Sequence, residues 1–336
     1  MTRVFVEPSG ESPALAEAEA VAAAEALGGR ATGAASDVEG LVSVELPDSV
    51  RADRLAERLA LAHRCLARVA ATEPAELAAA GEGAPGDTAA FRRLGRPGAA
   101  ADTGVLVAGR AYKSAGGRID LDSPRRRFWL ARDGSGVDRL LEEVGTIDRA
   151  AASRRRMPLL PFRRPVSLAP RLARAAANLA RVRSGDRVID PFLGTGALLA
   201  EAGLLGGRLY GIDRDATMVR GALANFAHLG VSAEELVVGD AATVGFASAT
   251  GPFRAVLTDP PYGRSSSTGA ESADRLIART VPRWGERLSA GGRVVLVVPS
   301  GAEALASPFE LRLAVAVRVH RSLTREFRVY ERAGGA

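Results

Sequence analysis

The pattern of hydrophobic and polar positions is most regular in the second half of the chain, where short apolar runs alternate with amphipathic stretches of helical period. This pattern predicts strands at 187–192, 208–213, 235–240, 253–261 and 292–300, and helices at 170–181, 195–205, 216–230 and 272–288. Strands separated by helices of this length predict an α/β fold with right-handed crossovers and a doubly wound, mostly parallel sheet. Two further alternating strands, 311–322 and 324–332, follow one another without a helix, which predicts an antiparallel C-terminal edge.

The first half of the chain mixes stretches of helical period with stretches that alternate like strands, which predicts a small α+β unit. Its predicted elements are strands at 2–8 and 41–47, helices at 13–27 and 50–70, a helix fragment with a loop at 71–98, a short strand or helix at 104–109, and a turn with two strands at 116–134. Residues 149–165 are rich in Pro and Arg and only weakly periodic. We therefore predict an N-terminal region at 1–148, a basic linker at 149–165 and a C-terminal domain at 166–336.

Composition agrees with a folded, soluble protein of two domains, since 47% of the 336 residues are hydrophobic and 25% are charged. No apolar run approaches the ~20 residues that cross a bilayer, and the N-terminus lacks the basic-then-apolar order of a signal peptide. A cytoplasmic location without membrane contact is therefore expected. The single cysteine, Cys65, excludes an internal disulfide and leaves no cysteine cluster for zinc or iron–sulfur, so no metal site is predicted.

The net charge of +6 is unevenly distributed, with −8 over residues 1–90 and +14 over residues 91–336. Nucleotide bias in the genome explains why arginine replaces lysine almost throughout, but it does not explain clustering. Residues 149–185 contain ten arginines and no acid. We interpret this stretch as a basic face opposite a polyanion, because a solvated linker usually mixes both signs of charge.

A glycine-rich turn, DPFLGTG at 190–196, lies between a predicted strand and a predicted helix. In an open α/β sheet, ligands bind at the carboxyl ends of strands, where glycines allow close backbone approach and the next helix offers free N–H groups. Asp213 ends the next strand, where a carboxylate can accept both hydroxyls of a ribose, and Asp240 ends the third, where it can accept from an adenine amino group. The candidate cofactor-binding residues are Asp190, Phe192, Gly194, Thr195, Gly196, Asp213, Asp240 and Ala241.

The turn alone is not specific, because dinucleotide-binding enzymes use similar geometry. Here it lacks the third glycine of the G-x-G-x-x-G pattern, and Leu199 stands at that position. Three strand-end features in the correct order favour a nucleoside cofactor over a set of ordinary turn and cap residues. Phe192 fits simple packing as well as base contact.

A second motif, TDPPYG at 258–263, ends the fourth predicted strand. An exocyclic amine on a base is a poor nucleophile because its lone pair is delocalised into the ring. Asp259 and the carbonyl of Pro260 can both accept hydrogen bonds from such an amine, and consecutive prolines hold that carbonyl rigidly. Tyr262 offers a face on which a flipped base can stack. The candidate catalytic residues are therefore Asp259, Pro260 and Tyr262, with Pro261 and Arg264 as candidate substrate-binding neighbours.

This motif resembles the amino-methyltransferase signature (Asp or Asn)-Pro-Pro-(Tyr, Phe or Trp), which implies S-adenosylmethionine as cofactor and a planar amino group as target. The signature does not choose among DNA adenine, DNA cytosine, RNA guanine and protein glutamine. Residues 163–182, 258–268 and 320–332 resemble the archaeal-type tRNA (guanine-10-N2)-methyltransferases, in which a THUMP RNA-binding module precedes a Rossmann-like class I methyltransferase domain. Residues 116–130 are similar to the last part of a THUMP domain, whereas Leu193 replaces a residue that is more often Cys.

The resemblance implies tRNA as substrate, N2 of the guanine at tRNA position 10 as target, and one or two methyl transfers. Eukaryotic relatives use a small activating protein, and no exposed apolar stretch of this sequence demands one. Because a guanine in a stem hides its N2 in the minor groove, reaction requires extrusion of the base, at a cost that phosphate contacts can offset. Candidates for those contacts are Arg125 to Arg127, Arg163, Arg164, Arg321 and Arg325.

Two of these features have open alternatives. Arg321 and Arg325 also fit a solvated strand face, and residues 265–270 fit either a mobile cover over the target nucleotide or an ordinary surface loop. Two rival enzymes share the predicted core, a ribosomal RNA guanine-N2 methyltransferase and a DNA amino-methyltransferase, although a DNA enzyme normally needs a target-recognition insert. The non-enzymatic alternative is an RNA-binding protein with a relict methyltransferase fold, against which the intact cofactor and reaction motifs argue.

Overall fold

The computed structural model describes residues 1–32, 38–69, 86–95, 102–165, 167–248, 251–261, 273–305, 308–320 and 323–333. Its contacts divide the chain into two compact units. The first comprises Met1–Gly10, Leu27–Glu57 and Ala62–Ile147, and the second comprises Glu11–Ala26, Arg58–Leu61 and Asp148–Ala336. Two short segments of the N-terminal region therefore pack as part of the second unit. Within the described residues, no helix is both long and apolar enough to cross a membrane.

The first unit is built on an eight-stranded sheet in the order β2-β3-β1-β4-β8-β7-β5-β6. Its strands are β1 (Thr2–Pro8), β2 (Arg30–Ala31), β3 (Val42–Leu46), β4 (Ala62–Arg68), β5 (Thr88–Arg93), β6 (Arg118–Ile119), β7 (Arg126–Arg132) and β8 (Asp138–Thr146). The helices in this part of the sequence are α1 (Pro13–Ala26), α2 (Ala52–Arg58) and α3 (Thr103–Ser114), of which α1 belongs to the second unit. One face of the sheet buries the stacked rings of Phe91 and Phe128 with Tyr112 of α3.

Several predicted elements of the N-terminal half are wrong. The predicted helix 50–70 is a short helix that ends at Arg58 and is followed by strand β4, because β4 pairs with both β1 and β8 and this pairing overrides the helical propensity of its alanines and leucines. Residues 88–93 form a strand inside the predicted loop region 71–98, of which 71–85 and 96–98 lie outside the described residues. By contrast, residues 104–109 belong to helix α3, which confirms the helical alternative of the predicted short strand or helix.

The segment predicted as a linker contains regular structure. Helix α4 (Arg149–Arg154) begins after Asp148, whose side chain accepts a hydrogen bond from the backbone N–H of Ala151 at 2.9 Å and so caps the helix. A single 3-10 turn follows at Met157–Leu159. These elements belong to the second unit.

The second unit contains a seven-stranded sheet in the order β11-β10-β9-β12-β13-β15-β14. Its strands are β9 (Arg187–Asp190), β10 (Arg208–Asp213), β11 (Glu235–Val238), β12 (Phe253–Thr258), β13 (Leu288–Pro299), β14 (Phe309–His320) and β15 (Leu323–Arg332). Strands β9 to β13 pair in parallel, and β15 runs antiparallel to both β13 and β14. The predicted doubly wound, Rossmann-like sheet with an antiparallel C-terminal edge is thereby confirmed.

Helices cover both faces of this sheet, namely α5 (Pro170–Leu179), α6 (Ala197–Leu204), α7 (Ala216–Leu229) and α8 (Ala273–Gly285), together with α1. Strand residues alternate between two apolar clusters, so that Val188 and Leu257 pack with α5, α6 and α7 while Ile189 and Val256 pack with Trp284 of α8. The central strands are thus buried on both faces. A ligand can therefore bind only at the edge of the sheet where the parallel strands end.

Candidate active site

Four acidic residues stand at the carboxyl ends of neighbouring parallel strands. Asp190 and Asp213 are the last residues of β9 and β10, Asp259 follows β12 directly, and Asp240 lies two residues beyond β11. Because parallel strands end at one edge of the sheet, the sequence-predicted cofactor and reaction motifs meet there. A hydrogen bond of 2.8 Å from the hydroxyl of Thr258 to Oδ1 of Asp190 joins the two motifs directly.

Asp190 is buried between these motifs. Its Oδ1 also accepts a hydrogen bond from the backbone N–H of Phe192 at 2.9 Å, which shapes the start of the turn. Burial raises the pKa of Asp190 to about 7, and the neighbouring carboxylates of Asp259 and Asp213 act in the same direction. Asp190 therefore organises the backbone of the turn from within the protein.

The turn itself combines close packing with left-handed backbone. Gly194 and Gly196 have φ angles of +52° and +79°, which L side chains rarely adopt. A Cβ on Gly196 would lie 2.7 Å from the ring of Phe226 on α7, so a side chain there would push the turn away from that helix. Helix α6 begins immediately afterwards, and no side chain caps its N-terminus. Its first N–H groups consequently form a site suited to a polar ligand.

Asp213 supports the turn from β10. Its Oδ2 accepts a hydrogen bond from the N–H of Gly194 at 2.8 Å, and its Oδ1 accepts one from the N–H of Asp215 at 2.9 Å. Burial raises the pKa of Asp213 above its ordinary value. The neighbouring Thr195 lies 3.0 Å from Ser167, hydroxyl to hydroxyl. This arrangement leaves a partly exposed carboxylate directly beside the glycine turn.

Asp240 is held by two arginines that sequence reasoning missed. Its carboxylate binds the guanidinium of Arg214 and, at 3.1 Å through each oxygen, that of Arg279 on α8. Burial raises the pKa of Asp240, but hydrogen bonds from Arg279, from the N–H of Ala242 and from Arg214 outweigh it and lower the pKa below its ordinary value. Arg214 directly follows Asp213, so its position in the sequence could have indicated that it lies near the site. Arg279 lies on α8, which is remote in sequence from Asp240, and no local pattern indicates it.

Two other predicted cofactor residues have contacts within the protein core. The carbonyl of Ala241 accepts hydrogen bonds from Arg283 at 2.7 Å and from the indole of Trp284 at 2.8 Å, and its side chain is buried. Phe192 packs against the apolar cluster on the α8 side of the sheet, which agrees with the packing alternative. Their contact with a cofactor stays a prediction.

The reaction motif leaves the sheet at the end of β12. Thr258 and Pro260 are buried, while Asp259 and Pro261 are partly exposed. Oδ2 of Asp259 forms an ion pair of 2.9 Å with the guanidinium of Arg325. Tyr262 and Arg264, together with the predicted cover at 265–270, lie outside the described residues, as does Arg321.

The location of Arg325 contradicts a solvated strand face, one of its two sequence-based alternatives. Its role as a phosphate contact stays a prediction. Arg325 is only 5% exposed, because the alternation of β15 places it on the same face as the buried residues Phe327 and Val329. Since β15 runs antiparallel to β13, its beginning lies at the edge where the parallel strands end. Arg325 thereby reaches Asp259.

The arginine run 149–185 is also less free than predicted. Many of its members bind acids that are distant in sequence: Arg155 and Arg174 bind Glu201, Arg171 binds Glu11, and Arg181 binds Glu25. The run itself contains no acid, and a local sequence pattern does not reveal partners that lie outside it. The predicted basic face opposite a polyanion is therefore wrong for these four arginines.

Arg163 and Arg164 differ from those acid-bound arginines. Arg163 is exposed, and the guanidinium of Arg164 lies 4.8 Å from the ring centre of Phe162. The backbone of Phe162 is fastened to Asn225 of α7, which accepts from its N–H at 2.9 Å and donates to its carbonyl at 3.0 Å. The same amide donates to the carbonyl of Thr195 at 3.0 Å, so the arginine-bearing loop adjoins the glycine turn.

Comparison with known proteins shows that the chain is similar to methyltransferases. Residues 159–326 match the family model described as RMKL-like, methyltransferase domain. The chain is 36% identical over 225 residues to the tRNA (guanine(10)-N2)-dimethyltransferase of Methanothermobacter thermautotrophicus, covering 66% of this chain and 65% of that protein. It is 36% identical over 238 residues to the protein of the same name from Pyrococcus abyssi, covering 67% and 68%. The aligned part thus spans about two thirds of these relatives.

A solved structure supports the fold. The crystal structure of TrmN from Thermus thermophilus superposes with a TM-score of 0.52 over 99% of this chain and 100% of that chain, at 22% sequence identity. At this identity the similarity concerns the fold alone. The substrate and reaction must be argued from the residues of the site.

Proposed function

Because this chain belongs to the family of tRNA (guanine(10)-N2)-methyltransferases with an RMKL-like methyltransferase domain, we propose that it transfers methyl groups from S-adenosylmethionine to the exocyclic N2 of a guanine in tRNA. The observation that carries the proposal is the hydrogen bond between Thr258 and Asp190, since it joins the amine-binding motif to the cofactor turn. Methyl transfer needs the amine and the methyl donor side by side and in line, and these neighbouring strand ends offer that proximity.

The donor set at the turn fits S-adenosylmethionine. Gly194 and Gly196 carry no side chain that could block a close approach of their backbone to a ligand, and the uncapped N-terminus of α6 offers N–H donors. The partly exposed carboxylate of Asp213 suits ribose hydroxyls. Each oxygen of Asp240 already accepts two hydrogen bonds, from Arg214, Arg279 and the N–H of Ala242, so an adenine amino group must take the place of one of these donors. When bound, the cofactor supplies an electrophilic methyl group on a sulfonium. The chain itself supplies the binding site and the orientation of the amine.

Asp259 and the carbonyl of Pro260 are the proposed acceptors for the two N–H groups of N2. Accepting both hydrogen bonds draws the nitrogen toward tetrahedral geometry and directs its lone pair. The rigidity of the Pro260-Pro261 pair keeps the carbonyl in place without reorganisation during the reaction. Stacking of the flipped base on Tyr262 is a further part of the proposal.

For the RNA, we propose Arg163 and Arg164 as phosphate contacts, because Arg163 is exposed, Arg164 is partly exposed, and their loop adjoins the glycine turn. The N-terminal region is proposed as a THUMP-like RNA-binding module, with 1–148, 149–165 and 166–336 as functional divisions of the sequence. Guanine at tRNA position 10, one or two methyl transfers, and action on tRNA in the cytoplasm complete the proposal. Support for position 10 comes from the names of the relatives from Methanothermobacter and Pyrococcus.

The proposal is tested by transfer of labelled methyl from S-adenosylmethionine to unmodified tRNA transcripts, beside a transcript whose guanine-10 is replaced by adenine. We expect label in the first transcript and none in the second, and digestion to nucleosides then counts methyls per guanine. Equal label in both would contradict position 10 while preserving methyl transfer. Label only in ribosomal RNA or DNA, offered in parallel, would contradict tRNA as substrate.

A further inference from the structure

The ion pair between Asp259 and Arg325 gives the reaction motif a support from a remote strand. Nη1 of Arg325 lies 2.9 Å from Oδ2 of Asp259. Arg325 is buried, and the side chain of Asp259 is partly exposed. Asp259 stands just beyond the last residue of β12, before two prolines. Asp259 therefore lies just beyond Thr258, the last residue of β12 that pairs with β13.

Arg325 is anchored far better than Asp259. It pairs with Pro299 of β13 on one side and with Val317 of β14 on the other, near the start of a strand that continues for ten residues. A guanidinium is planar and permanently charged, so it fixes a carboxylate in direction as well as in distance. A buried guanidinium also stabilises a carboxylate over its protonated form.

We propose that Arg325 is a positioning residue, which orients the carboxylate of Asp259 toward the amine and keeps it a hydrogen-bond acceptor rather than the proton acceptor. This inference rests on the proposed function. The N2 lone pair forms the new N–C bond while the bond from the methyl carbon to sulfur breaks and leaves its electron pair on sulfur. The methylated, positively charged N2 then releases one proton to water, and Asp259 keeps the negative charge that pairs with Arg325.

The decisive experiment separates this role from phosphate contact. Arg325→Gln is compared with Arg325→Lys and with the matched control Arg328→Gln, a buried arginine of the same strand that binds Glu326 and the carbonyl of Ala302. We expect Arg325→Gln to lower kcat for tRNA methylation by about 10- to 100-fold, with KM for tRNA and its salt dependence within twofold of wild type. Arg325→Lys keeps the charge without the planar fork and recovers part of kcat, while Arg328→Gln keeps kcat near wild type.

Two results would overturn the inference. One is a raised KM with unchanged kcat and a weaker salt dependence in Arg325→Gln, which would make Arg325 a phosphate contact. The other is an equal loss of kcat in Arg328→Gln, which would make the effect merely structural.

A double-mutant cycle in thermal unfolding tests the pairing without any substrate. Asp259→Asn, Arg325→Gln and the double variant are compared with wild type. We expect the double variant to lose less Tm than the two single losses together, because each single change leaves the other group without its partner. Additive losses would contradict the pairing. Failure of the proposed function is recognised separately, by the absence of label from tRNA with the wild-type protein.

Discussion

Asp259 is the residue on which the proposed reaction depends most directly, since it is the charged acceptor beside the cofactor turn. We predict that Asp259→Ala lowers kcat by a factor on the order of 10² to 10³, a usual loss for one preorganised polar group at a reacting centre. Asp259→Asn keeps a carbonyl acceptor and loses less. Both variants should still bind S-adenosylmethionine in equilibrium dialysis, and near-normal turnover by the alanine variant would contradict the assigned role.

Asp190 predicts a pH dependence of stability. Its pKa is about 7 in the folded protein and near 3.8 when unfolded, so between these values the folded state binds more protons. Its contribution to stability is therefore fully present at low pH and is lost as pH rises toward and through 7. From pH 6 to pH 8 this lowers the free energy of unfolding by about 1 kcal/mol.

The buried carboxyl of Glu19 on α1 also lowers the stability of the protein as pH rises, because burial raises its pKa to about 7 as well. The two contributions are separable with Asp190→Asn, since both described hydrogen bonds of Asp190 go to one oxygen, which asparagine retains. We predict that this variant loses less stability than wild type between pH 6 and pH 8 in urea unfolding. An unchanged pH dependence would show that Asp190 does not titrate there.

At the scale of elements, Asn225 joins three pieces of chain, namely α7, the loop at Phe162 and the glycine turn at Thr195. Asn225 is buried, so truncation leaves the backbone groups of Phe162 and Thr195 without those partners. We predict that Asn225→Ala lowers the free energy of unfolding by about 2–3 kcal/mol. It should also weaken both S-adenosylmethionine binding and tRNA binding, measured by calorimetry and filter binding. Loss of stability with both affinities unchanged would contradict this link.

The sheet of the second unit could be predicted from sequence because its strands are apolar, short and separated by helices with turn residues between them. The acids at the strand ends followed from that prediction, since parallel strands end at one edge. The predictions that failed concern features set by tertiary contacts. Strand β4 resembles a helix in composition, and α1 packs with Asn178 through Glu19, about 160 residues away. Arg279 and Arg325 reach the site from elements remote from its motifs, and a local pattern does not reveal such partners.

At the scale of the whole molecule, some arginines bind acids of the protein itself, whereas others are exposed and can bind phosphate groups of RNA. Arg155, Arg174 and Arg181 hold acids within the second unit and contribute to its stability. A charge already paired within the protein releases few counterions from RNA, whereas an exposed guanidinium at a phosphate releases about one. The salt dependence of tRNA binding therefore reports which arginines face the substrate.

This reasoning predicts different outcomes for two sets of arginine variants. Arg163→Ala and Arg164→Ala together should reduce the slope of log Kd against log salt concentration for tRNA by about 1 to 2, with thermal stability close to wild type. The matched control Arg171→Ala removes an arginine that binds Glu11 and the carbonyl of Ala60, so it should lower Tm and leave the slope unchanged. A slope that changes equally in both would mean that the internal pairs open when RNA binds. An unchanged slope in the double variant would move the RNA contact to other arginines.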